Sequence, residues 1–309
     1  MFNLRAFSMG LISLVLINCS SAPEGEVFWA AAGAGQTRIL VANVQNGNEA
    51  ISIYDANGNV SGILDDFSLE NLDPEGMVAL NPTEFLISLD GIDQIRRVNI
   101  FGETLSTISN TNLNGNIYQI AANNDTVFVI ESNRIECFEK DSGNRIANPC
   151  IDTNVGACTL STPRSLTINA DGNLVVINNG NDRILVYDVS DPTATSCISS
   201  NTAANGLNPV GVLAHSNGNL YISTQGDDQV YELAGDGTGG ITSIYNPGTS
   251  ILNNPTALAE MPDGSILVAS DGTNDILRID SDGTPIAVPF IRTALTLNVS
   301  SILVVGGGN

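Results

Sequence analysis

Oxygen-bearing side chains recur at two aligned places along this chain. Asp90, Asn179, Gln225 and Asp271 occupy the first, Asp93, Asp182, Asp228 and Asn274 follow three residues later, and Glu131 lies near the equivalent place in a shorter loop. Carboxylates and carboxamides gathered in one rim are the donors a hard cation such as Ca²⁺ prefers. Asp90, Glu131, Asn179, Asp182, Asp228 and Asp271 are therefore candidate ligands of Ca²⁺ or another divalent ion. Tight loops select Asp and Asn for a second reason, because their side chains bond the local backbone, so a purely structural role stands beside the metal-binding one.

Little other chemistry is on offer. One Lys (Lys140) and one His (His215) in 309 residues leave almost no material for Lys-based or His-based catalysis. His215 adjoins a Ser216-Asn217-Gly218 turn and reads as a solvated turn residue at the mouth opposite the acidic loops. No Gly-x-Ser-x-Gly elbow, phosphate-binding loop or dinucleotide fingerprint occurs. The Gly-rich stretches Gly235 to Gly240 and Gly306 to Gly308 read as a turn and a tail. No residue is assigned a catalytic role. With 11 Lys+Arg against 33 Asp+Glu the formal charge is −22, which repels phosphate backbones and excludes nucleic acid as a partner. Hydrophobic residues make up 42% and charged ones 14%, against roughly 25% charged in an average domain. Such a chain folds, with a polar but mostly uncharged surface.

The first residues read as an address. Met1 to Arg5 carries one positive charge and Ala6 to Ile17 is mostly apolar, too short for a bilayer core that needs roughly 20 residues. That is the pattern of a signal peptide. Leu16-Ile17-Asn18-Cys19 resembles the lipobox of bacterial lipoproteins, with Asn18 where Gly, Ala or Ser is usual. The resemblance implies cleavage before Cys19, its lipidation, and a membrane as partner at the outer membrane or cell surface of a bacterial envelope. Residues 1–19 are then the signal peptide with its lipobox Cys, residues 20–35 a flexible tether, and residues 36–309 the folded domain. Export leaves Cys137, Cys150, Cys158 and Cys197, an even number in an oxidising compartment, with three possible pairings. A Cys150–Cys158 loop staple and a Cys137–Cys150 bridge between neighbouring strands both remain open.

The folded part repeats. Pro163, Pro209 and Pro255 are 46 residues apart, and Asp171-Gly172, Asn217-Gly218 and Asp263-Gly264 keep the same intervals. Each unit carries three short apolar runs separated by turns, and the Asp-Gly and Asn-Gly steps are strong hairpin signals. The plan extends to residues 74–115 and 116–162, and in part to both ends, giving six units plus a partial one. Second runs such as Leu174 to Ile177 are continuously apolar, which suits strands covered on both faces. The expected fold is all-β, a six-bladed β-propeller of four-stranded antiparallel blades, with seven blades as the alternative. Strand material from the C-terminus is expected to complete a blade begun at the N-terminus.

Units such as Pro163-Arg164-Ser165-Leu166-Thr167-Ile168 through Val176 resemble NHL repeats, and the whole resembles the propeller group of regucalcin and gluconolactonase. That resemblance implies, for an enzyme, a Glu, an Asn and an Asp around a divalent metal for lactone hydrolysis, and Glu131, Asn179 and Asp271 are of suitable type. The leading expectation is instead a non-catalytic envelope lipoprotein whose propeller binds a protein, glycan or small ligand. A metal-dependent lactonase-like hydrolase is the alternative.

Overall fold

The computed structural model describes residues 36–44, 49–66, 72–109, 113, 115–292 and 298–306. The proposed signal peptide, Cys19 and the tether lie outside them. Blade 1 takes β1 (Arg38–Asn43), β2 (Ala50–Asp55) and β3 (Val60–Asp66). Blade 2 is β4 (Pro74–Asn81), β5 (Glu84–Leu89), β6 (Gln94–Asn99) and β7 (Thr104–Ser109). Blade 3 is β8 (Ile117–Ala122), β9 (Thr126–Glu131), β10 (Arg134–Glu139) and β11 (Arg145–Ile151), followed by a short ribbon of β12 (Asn154–Val155) and β13 (Cys158–Thr159). Blade 4 is β14 (Pro163–Ile168), β15 (Leu174–Asn178), β16 (Arg183–Asp188) and β17 (Ser196–Asn201). Blade 5 is β18 (Pro209–Ala214), β19 (Leu220–Thr224), β20 (Gln229–Leu233) and β21 (Thr242–Tyr245). Blade 6 is β22 (Pro255–Glu260), β23 (Ile266–Ser270), β24 (Asp275–Ile279) and β25 (Pro285–Arg292). The last strand, β26 (Val299–Val305), pairs antiparallel with β1 and becomes the inner strand of blade 1, in the order β26-β1-β2-β3. The count is six, and the closing strand comes from the C-terminus as the repeat predicts.

Alternation of side chains explains the apolar second runs. Successive residues of a strand point to opposite faces. Leu174 and Val176 of β15 pack with Phe128 and Ile130 of blade 3, whereas Val175 and Ile177 pack with Leu220 and Ile222 of blade 5. Each second strand thus serves two wedges at once and has no wet face. The apolar interior divides into six clusters, one per junction between neighbouring blades. The junction of blades 6 and 1 draws on both chain ends, with Ile39 and Val41 of β1 and Val299 and Ile302 of β26 against Leu267 and Ala269.

Turns between the third and fourth strands seat each blade on its neighbour. Gly58, Gly102, Gly143, Gly237 and Gly283 all have positive φ, from 72° to 86°. A Cβ on Gly58, Gly102 or Gly143 would stand 2.7 Å from the carbonyl oxygen of Phe290, Leu64 or Ile108, each in the outer strand of the preceding blade. Glycine is required there for its backbone and for the close approach alike. Blade 4 lacks such a glycine. At its junction with blade 3 the structure places both disulfides instead: Cys137–Cys150 joins β10 to β11, and Cys158–Cys197 ties the ribbon to β17. Of the pairings open in the sequence, the bridge between neighbouring strands is the one formed. Among the described residues no helix is long and apolar enough to cross a membrane.

Leu174 and Leu220 are fully buried in separate wedges. Replacing either with Ala is expected to cost about 2–5 kcal/mol, as cavity-forming changes do. Denaturant unfolding reads this out; midpoints equal to wild type would contradict the burial.

Candidate functional site

The six inner strands surround a central channel of about 820 Å³. Loops between second and third strands, and the connections entering each inner strand, open at one end of it, called the mouth here. Backbone geometry accounts for one of the two recurring acidic positions. Asp93, Ser132, Asp182, Asp228 and Asn274 lie at φ 52° to 57°, and Asp73, Thr162, Asn208, Asn254 and Asn298, which precede inner strands, lie at φ 46° to 51°. Among residues with a Cβ, Asn and Asp tolerate this left-handed conformation best. Asp182 and Asp228 also reach sideways, Asp182 accepting from the Gly206 N–H (3.0 Å) and Asp228 from the Asn254 N–H (2.7 Å).

The other recurring position bridges blades. Asp90 accepts from the Ile117 N–H (2.6 Å) and Asp271 from the Val299 N–H (2.9 Å), each at the first residue of the next inner strand. Where that first residue is proline there is no N–H to offer, and the bridging residue changes to an amide. Asn179 donates to the Pro209 carbonyl (2.9 Å). In these three bridges carboxylate or carboxamide follows the hydrogen-bonding need of the neighbour. Burial raises the carboxyl pKa of both Asp90 and Asp271, opposed by these same backbone bonds.

Asn179, Gln225 and Asp271 line the channel mouth. Glu131 does not join them. Its loop is a tight turn, and its carboxylate is held by Arg134 at 2.8 Å. Arg134 also reaches the fully buried Glu136 at 2.9 Å, which Arg145 approaches at 3.3 Å. Among the described residues no three His, Cys, Asp or Glu side chains are grouped closely enough to hold a metal ion. His215, expected as solvated, is buried. Its Nδ1 accepts from the Asn217 N–H (3.0 Å), leaving Nε2 to donate to the Gly264 carbonyl of the next blade (2.9 Å), and its ring meets Tyr221 edge-on. The turn it closes is also a contact between blades 5 and 6, which local turn chemistry does not reveal. It does lie at the end away from the mouth.

Residues that the motifs did not single out give the channel its chemistry. The position after the first residue of each inner strand carries Glu75, Tyr118, Arg164, Val210, Thr256 and Ser300, all lining the channel. Glu75 makes no side-chain hydrogen bond among the described residues. Its carboxyl is pushed up to about 7, chiefly by burial, with Asp90 and Asp73 adding to the rise and Arg164 opposing it. The Arg164 guanidinium lies over the Tyr118 ring at 5.3 Å, a cation–π distance. Gln119 runs past Gly76 to donate to the carbonyls of Glu75 (2.6 Å) and Ser300 (2.7 Å), linking the inner strands of three blades. A Cβ on Gly76 would sit 2.8 Å from the Gln119 Cα. Beside the bridging residues, the mouth thus offers the Glu75 carboxyl, the Arg164 guanidinium stacked on Tyr118, and a surround of amides and hydroxyls.

No family model matches the chain, and no curated protein matches its sequence. Solved structures do resemble it. A structure of a nidogen/laminin complex contains a chain that aligns with a TM-score of 0.68 at 17% identity, covering 88% of this chain and 100% of that one. A protein of unknown function from Bacteroides caccae aligns at 0.60 and 13% identity, over 87% and 99%. A streptogramin B lyase aligns at 0.56 and 18% identity, over 84% of each chain. At such identities the likeness shows the propeller fold alone.

Substitutions at two positions test this site. Because the Glu75 carboxyl sits above its ordinary value in the folded protein, the fold binds that proton more firmly than the unfolded chain, and stability falls as pH rises from about 4.5 toward 7. Glu75→Gln, which copies the protonated form, should melt above wild type at pH 8, with the gap closing toward pH 4; a gap independent of pH would contradict the assignment. Asp271→Ala strands the Val299 N–H and should cost about 1–3 kcal/mol in denaturant unfolding, whereas Asp271→Asn, which keeps an acceptor oxygen, should cost less. Equal losses would show that the bridge is not the source of the effect.

Proposed function

We propose that this chain is a bacterial cell-envelope lipoprotein, exported by residues 1–19 and anchored through a lipid on Cys19. It presents a propeller that binds a protein, glycan or small ligand at the channel mouth without turning it over. The observation that carries the binding reading is the contrast between the two sets of polar residues at the mouth. Loop carboxylates and amides such as Asp90, Asn179 and Asp271 are engaged between blades, while Glu75 and the Arg164–Tyr118 pair line the channel with chemistry left over for a guest. Export is supported by the pairing of Cys137, Cys150, Cys158 and Cys197 into two disulfides, since such bonds persist in oxidising compartments. A protein partner is consistent with a propeller of like shape occurring in a complex of nidogen with laminin.

No observation favours the metal-dependent lactonase. Glu131 is held on its own turn by Arg134, and Asn179 and Asp271, though both line the mouth, are bonded to the inner strands of different blades.

Anchoring is tested by labelling cells with radioactive palmitate. Wild type is expected to carry the label and to partition into detergent, and Cys19→Ala to do neither; an unlabelled wild type would overturn the anchor. Binding is tested by probing glycan and peptide arrays with wild type and Arg164→Ala. Arrayed compounds retained by wild type should lose tenfold or more in affinity to the variant, about 1.4 kcal/mol. Retention unchanged by the substitution would remove the mouth as the binding site.

A further inference from the structure

Six of the eight large apolar side chains that stand exposed among the described residues belong to three consecutive blades. They are Ile286 and Val288 of blade 6, Val60 and Ile63 of blade 1, and Phe101 and Leu105 of blade 2. Val60, Phe101, Leu105 and Ile286, exposed by 51, 52, 47 and 51%, sit at or just after turns between third and fourth strands. Those turns lie at the end of the ring opposite the mouth. The three rims abut, since Gly58 of blade 1 rests on Phe290 of blade 6 and Gly102 of blade 2 on Leu64 of blade 1.

The chain enters at the same end. Arg38, the first residue of β1, pairs with Asp55 at the turn end of β2 and with Val305, the last residue of β26. An apolar patch rimmed by polar residues marks an interaction surface, and here it lies at the end of the ring where the chain enters at Arg38.

Resting on the lipid anchor proposed above, we infer that this rim of blades 6, 1 and 2 lies against the bilayer and that the channel mouth faces away from it. Sixteen residues lie between Cys19 and Gln36, and a flexible chain of that length spans about 20–24 Å. With the entry end down, the tether reaches the membrane at its relaxed length. With the mouth down it would first have to run the height of a six-residue strand, about 20 Å. Asp55, Glu103, Asp280 and Asp282 flank the patch, and the whole chain carries −22, so the surface it fits is one of net-neutral headgroups such as phosphatidylethanolamine. Anionic lipid repels it.

The test uses the full-length lipidated protein in vesicles of phosphatidylethanolamine and phosphatidylcholine whose acyl chains carry bromine as a quencher. A fluorophore is placed on a single added thiol, in Phe101→Cys at the rim or in Asn205→Cys on the connection into β18 at the mouth end. The label at position 101 should lose fluorescence relative to unbrominated vesicles, and the label at position 205 should keep it. Adding phosphatidylglycerol should reduce the loss at position 101. Equal quenching at both positions, or stronger quenching at 205, overturns the orientation. The same preparation is assayed for bound fatty acid: lipidated protein with the wrong quenching pattern sinks only the orientation, whereas protein without fatty acid sinks the anchor and this inference with it.

Discussion

Pairing of the two chain ends is the constraint on which the rest depends. β26 lies some 260 residues from β1, yet its register against β1 supplies the inner strand of blade 1. It contributes Val299 and Ile302 to the junction with blade 6. It also presents Ser300, whose hydroxyl donates to the Pro74 carbonyl at 2.6 Å and whose own carbonyl receives Gln119. Without that pairing there is no closed circle of inner strands and no channel. Closure also removes the open sheet edges that an incomplete ring would expose.

Polar contacts at the mouth extend the same logic around the ring. A propeller has no single core to hold it in shape, only wedges between neighbours, and apolar contact is not directional. Direction comes from hydrogen bonds that leave one blade and end on the next inner strand. Asp90 and Asp271 act where that strand begins with an N–H, and Asn179 where it begins with proline. Ser88 and Ser223 do the same deeper in, donating to the carbonyls of Tyr118 and Thr256 beside Gly76 and Gly211, whose missing side chains let the next strand come close. The acidity of the chain is in part a by-product of this carpentry.

The fold was legible because its determinants repeat. A 46-residue interval, Asp-Gly turns and uniformly apolar second runs all follow from one strand serving two junctions, and they specify blade number, strand count and the closing strand. The mouth was legible only in its structural half. Asp90, Asn179 and Asp271 stood out because they recur, and recurrence is the mark of a residue doing the same mechanical task in each blade. Glu75 and Arg164 do not recur. They share their position with Tyr118, Val210, Thr256 and Ser300, and that variety against a fixed frame, immediately after the repeated prolines at 74, 163, 209 and 255, is the signal that could have found them. His215 was misread because its partner Gly264 lies in another blade, 49 residues away, beyond the reach of any local rule.

The glycine-bearing turns give the ring a direction. Each lies on the blade before it and none on the blade after, so the blades overlap like roof tiles, and lifting one outer strand means first raising the turn laid across it. The sequence breaks at a single joint, where blade 4 meets blade 3 without a glycine, and there the Thr195 hydroxyl donates to the Cys150 carbonyl at 2.7 Å beside both covalent clasps. A thiol reductant would therefore act on one seam of the roof and leave the other five shingled as before.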